Sequence, residues 1–120
     1  MRLKNILPLA ALLGSLAASS VWAHAHLQSQ TPAADSTVSA PAELSLVFSE
    51  GVEADFCKVT ITRDGEDVLV KSLATQGGNK KTLIITPAVP LTAGDYKVEW
   101  HVVSVDTHKS EGAFAFTVGQ

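Results

Sequence analysis

Leu44, Leu46 and Phe48 alternate with Ser45, Val47 and Ser49, and the same period of two returns at Cys57, Val59 and Ile61 and at Tyr96, Val98, Trp100 and Val102. Residues two apart in an extended chain share a face, so this spacing predicts strands with one buried side. The clearest spans Tyr96 to Val103, with Lys97, Glu99, His101 and Val103 at the alternate positions. Phe114, Phe116 and Val118 mark a final strand. His26 to Gln30, Phe56 to Arg63, Val68 to Leu73 and Leu83 to Thr86 bring the set to about seven. Breaker-rich segments separate them: Thr31-Pro32-Ala33-Ala34-Asp35-Ser36, Asp64-Gly65, and Thr75-Gln76-Gly77-Gly78-Asn79, the last read as a flexible loop. No helical period and no internal repeat emerges after Ala25. These features predict an all-β, immunoglobulin-like antiparallel β-sandwich with Greek-key connections. Trp100, Phe48, Phe114 and Phe116 are expected to pack its core rather than to form an exposed stacking platform.

The first residues differ in character. Arg2 and Lys4 precede an apolar run from Ile6 to Ala18 and a small-residue site at Val21-Trp22-Ala23, the pattern of a secretory signal peptide over residues 1–23. The run is too short to span a membrane. Ala23-His24-Ala25 also satisfies a cleavage site, and cutting there would leave His26 first. One domain then occupies residues 24–120. The whole chain has a formal net charge of −3, and loss of Arg2 and Lys4 would bring it to about −5. Nucleic acid and anionic lipid are poor partners for such a surface, whereas a cation is a good one. Cys57 has no second cysteine to pair with, so the fold must stand on its core. Its phase with Val59 and Ile61 favours a buried small residue over a reactive thiol or ligand. Met1 is the only methionine, so no thioether cluster is present for Cu(I).

Candidate chemistry lies at the two ends of this domain. In Val103-Ser104-Val105-Asp106-Thr107-His108, Asp106 and His108 would project to one side of an extended chain. A chain processed to begin His24-Ala25-His26 offers an α-amino group and two imidazoles, and a first-position histidine can chelate through its amine and ring together. Adding His108 makes a nitrogen-rich set of the kind Cu(II) prefers, with Asp106 as oxygen ligand or as the acceptor that orients the site. The terminus alone also fits a local chelate of an amine, two amides and the His26 ring, which would exclude His108. His26 is therefore open between ligand, neighbour of the site and bystander. Glu50, in phase with Phe48 at a strand end, is either a site residue or a solvated end. His101 falls on the solvent side of its strand.

Together these segments resemble the CopC-type periplasmic copper-binding domain, and within that family the short YobA-like members. The resemblance rests on the His24-Ala25-His26 start, Thr31-Pro32, Leu46-Val47-Phe48-Ser49-Glu50-Gly51-Val52-Glu53, Pro90 to Tyr96, and Trp100 to His108. It implies Cu(II) held by the amine and ring of His24, the ring of His108 and the carboxylate of Asp106, with Glu50 nearby. It also favours cleavage before His24 and a role in copper homeostasis or resistance. A CopD-type inner-membrane protein is implied as partner, and the mature chain is expected to be periplasmic, uninserted in the membrane and monomeric. The longer members' methionine-rich Cu(I) loop is absent. Two other classes compete: a copper-dependent oxidative enzyme using the same histidine chelate, disfavoured by small size and few spare aromatics, and a metal-independent interaction module.

Overall fold

A computed structural model describes residues 25–120, so the signal-peptide reading and His24 lie outside the described residues. Among them, nine strands form two facing sheets. β1 (Leu27–Thr31), β3 (Leu44–Phe48), β6 (Val70–Gln76) and β7 (Asn79–Pro87) make one sheet in the order β1-β3-β7-β6. β2 (Thr37–Val38), β4 (Lys58–Arg63), β5 (Glu66–Val68), β8 (Gly94–Val103) and β9 (Lys109–Val118) make the other, ordered β2-β9-β8-β4-β5. The sandwich is as expected. Its pairing is antiparallel except where β2 runs parallel to β9.

The alternation read from the sequence is the burial pattern itself. Tyr96, Val98, Trp100 and Val102 are buried on β8 while Lys97, Glu99 and His101 face solvent. Leu44, Leu46 and Phe48 point inward from the opposite sheet. Phe48 meets Trp100 edge-on with centroids 5.2 Å apart, and Tyr96 stacks on Phe116 at 5.1 Å, so aromatic contacts join the sheets and neighbouring strands. Gly112 lies opposite Trp100 on β9, and a Cβ there would come within 2.5 Å of the indole. The glycine is what lets the ring lie flat on the neighbouring strand.

Several boundaries differ from the sequence reading. Phe56 belongs to a 3-10 turn, Ala54–Phe56, and is exposed, because β4 begins only at Lys58. Cys57 caps that turn and is half-buried, with Sγ 3.2 Å from the Glu53 carbonyl. Burial, with Glu53 adding to it, raises the thiol pKa. The Val68 to Leu73 segment is two strands. The chain leaves one sheet at Val68 and joins the other at Val70, with Leu69 exposed at the crossing. Thr75 to Asn79 is a tight turn rather than a flexible loop, since β6 and β7 stay paired to Gln76 and Asn79. The two-residue β2 has no periodicity by which sequence could mark it.

Candidate metal centre

The site is built where four segments end at one pole of the sandwich. After β8, the chain from Ser104 to His108 turns back into β9. The Thr107 N–H donates to the Ser104 carbonyl at 2.8 Å, and the Ser104 N–H to the His108 carbonyl at 2.9 Å. Thr107 takes a left-handed φ of 73° to close the turn. This bend brings Asp106 and His108 together: His108 Nδ1 lies 3.2 Å from Asp106 Oδ1, and both side chains are about half exposed. The Ser104 hydroxyl donates to the same Asp106 oxygen and accepts the His108 N–H at 3.2 Å. The Ser104 hydrogen bond first, and His108 second, hold the Asp106 carboxyl below the usual carboxylate range.

The turn is fastened to the frame. Ser104 bridges to Val52, the Val105 N–H donates to the Gly51 carbonyl at 2.9 Å, and the Glu53 N–H to the Val103 carbonyl at 2.9 Å. Gly51 fits because its neighbours are close: a Cβ would meet Lys80 Cβ and Val105 Cγ1 at 3.2 Å.

The amino-terminal segment reaches the same pole. Ala25 is 1% exposed, and its carbonyl accepts the Ser110 hydroxyl at 2.8 Å. The His26 N–H donates to Ser49 Oγ at 2.8 Å, and the Ser49 N–H returns to the His26 carbonyl at 2.8 Å. Residue 25 is thereby tied to residue 110, two positions after His108. Glu50 follows Ser49 and is half-buried. Among the described residues no three His, Cys, Asp or Glu side chains converge as an ion-holding group. The structure thus joins Asp106 to His108, with His26 and Glu50 on adjoining segments. His101 is a surface residue, its Nδ1 3.3 Å from Glu111 Oε1. Sequence reasoning alone does not single out Ser104 or Ser110. Ser104 precedes Asp106 by two residues, and that shared phase is the one signal the sequence offers for it.

Residues 27–119 match the profile of the CopC domain. The chain belongs to the CopC domain family. Protein YobA of Escherichia coli (strain K12) is 46% identical over 112 residues, covering 92% of this chain and 90% of that protein. Copper resistance protein C of Pseudomonas syringae pv. tomato is 42% identical over 111 residues, covering 88% of each. The crystal structure of PcoC, a methionine-rich copper resistance protein from Escherichia coli, is similar with a TM-score of 0.72 and 38% identity, covering 80% of this chain and 99% of that one. This CopC domain carries no methionine besides Met1. The matched span runs from Leu27 to Gly119 and takes in both sheets and the Asp106 to His108 turn. Among the described residues no helix is long and apolar enough to cross a membrane.

Proposed function

We propose that this CopC domain is a periplasmic Cu(II)-binding protein of copper homeostasis or resistance, which sequesters the cupric ion or hands it to a partner. The observation that carries this reading is the anchorage of Ala25 on Ser110 beside the Asp106/His108 turn. Signal-peptide cleavage after Ala23 would make His24 the first residue. As the chain neighbour of the fixed Ala25, the first residue would be tethered beside the turn. The amine and ring of His24 then join the His108 ring as nitrogen donors, with the Asp106 carboxylate as the oxygen. The 3.2 Å approach of His108 Nδ1 to Asp106 Oδ1 supports Nε2 as the donor atom, the arrangement by which carboxylates orient metal-binding histidines. Glu50 and His26 lie around the ion rather than on it.

The local chelate of His24, Ala25 and His26 is disfavoured. It requires the Ala25 and His26 amide nitrogens to bind the metal, whereas Ala25 is buried and the His26 amide is donated to Ser49. Copper resistance protein C and PcoC are named for copper resistance and not for an enzymatic activity, which favours binding over oxidative catalysis. A CopD-type inner-membrane protein is the proposed recipient or donor of the ion.

Electron paramagnetic resonance of the Cu(II)-loaded, correctly processed protein tests the site. Both an extra residue before His24 and His108→Ala are expected to change the copper signal and weaken binding. An unchanged spectrum in His108→Ala would return the copper to the terminus alone.

A further inference from the structure

We propose that Ser104 is the positioning residue of the copper site, a buried hydroxyl that sets Asp106 and His108 in register before the ion arrives. The inference rests on the copper-site reading above. Ser104 is 1% exposed, although it belongs to a turn whose following residues, Val105 to Lys109, are all exposed. Its backbone groups close the turn by bonds that any residue would make, from its N–H to the His108 carbonyl and from the Thr107 N–H to its own carbonyl. The hydroxyl does something else. Its single proton goes to Asp106 Oδ1, and its oxygen receives the His108 N–H at 3.2 Å, so one atom joins both site residues.

An alanine would close the same turn without burying a hydroxyl, a group that costs free energy to bury unless it is hydrogen-bonded. What serine adds is the tie between carboxylate and histidine. Oδ1 of Asp106 accepts from Ser104 and lies 3.2 Å from His108 Nδ1, so one carboxylate oxygen faces both groups. That convergence sets the carboxylate's orientation relative to the ring. Ser104 is itself immobilised, because it bridges to Val52 while its neighbours Val103 and Val105 bond to Glu53 and Gly51. The half-exposed pair is thereby referred to the rigid sheet frame.

Four variants of the processed, full-length mature protein test this: Ser104→Ala, the shape-matched pair Ser104→Thr and Ser104→Val, and His108→Ala. Cu(II) affinity is read by chelator competition, the ligand set by electron paramagnetic resonance, and the fold by the metal-free melting temperature. Loss of the hydroxyl in Ala and Val is expected to weaken Cu(II) binding about 10- to 100-fold and to shift the copper hyperfine pattern, as loss of groups that orient metal ligands typically does. Ser104→Thr, which keeps the hydroxyl, is expected to retain most of both. If Ser104→Ala does not fold, the difference between Thr and Val carries the test at constant shape. Affinity and spectrum that stay at parental values in Ala and Val, while His108→Ala loses copper, would overturn the role of Ser104 and leave the site standing. A fall in melting temperature with no change in copper binding would overturn that role equally. Copper binding untouched by His108→Ala would overturn both readings.

Discussion

The two poles of the sandwich are closed in different ways. At one, serine hydroxyls tie chain segments together: Ser110 to Ala25, Ser49 to His26, Ser104 to Asp106 and His108. At the other, Pro90, Leu91, Leu69 and Val89 gather around a cleft, with Leu69 and Val89 exposed. There the Tyr96 hydroxyl donates to the Thr92 carbonyl at 2.6 Å and accepts its N–H at 2.9 Å. This pole is held by the Tyr96 hydroxyl, reaching from the core, and by Arg63 Nη1, which donates to Thr92 Oγ1 at 2.6 Å. The serine pole is held by short side chains that bury little surface and fix backbone and ligand groups at defined separations. The difference teaches that one end of the fold is tied by a long aromatic side chain, while the other, over buried Ala25, Phe48 and Val52, uses short hydroxyls to position polar groups.

The comparison breaks most completely if the shared frame is removed. Phe48 is fully buried and ends the strand leading to Ser49, so Phe48→Ala is expected to cost about 3–5 kcal/mol in urea unfolding and to weaken both poles together. A sharper cut is Tyr96→Phe, which deletes both bonds to Thr92. We expect a loss of about 1–2 kcal/mol in stability with Cu(II) affinity unchanged, since the loss lies at the pole away from Asp106 and His108. Ser110→Ala acts at the serine pole. It frees the Ala25 carbonyl, and the expected result is a roughly threefold to tenfold weaker Cu(II) affinity, the effect of about one hydrogen bond, beside a loss of about 1 kcal/mol in metal-free stability.

The smallest expected effect is one of pH. Because Ser104 and His108 lower the Asp106 pKa, folding favours its ionised form. That contribution is complete above the unfolded aspartate value of about 3.9 and is lost as pH falls through the lower folded value. Asp106→Asn removes it. Melting temperatures of metal-free parent and variant should differ at pH 7 and converge in strong acid; a gap that persists there would mean that Asp106 acts through packing instead.

Much of the fold and part of the site are legible in the sequence. Burial follows the period-2 alternation of Tyr96 to Val102 and Leu44 to Phe48, because a strand with one wet face must alternate. Asp106 and His108 stand out as a pair through their phase, although a turn rather than an extended strand brings them together. Phe56 reads as strand because its apolar character continues the β4 pattern, and only the backbone places it on a 3-10 turn. The crossing at Leu69 is hidden because apolar residues on either side read as one strand.

By itself the sequence determined the strand periodicity, the aromatic core, the shortage of methionine and the Asp106-Thr107-His108 motif, all properties of neighbouring residues or of composition. Only the tertiary structure decided that Ala25 would be held by Ser110, 85 positions away, and that the Ser104 hydroxyl would join Asp106 to His108. The reason is physical. Side-chain alternation is imposed locally by backbone geometry, whereas a hydrogen bond between distant or turn-borne groups exists only after packed sheets have brought donor and acceptor within reach.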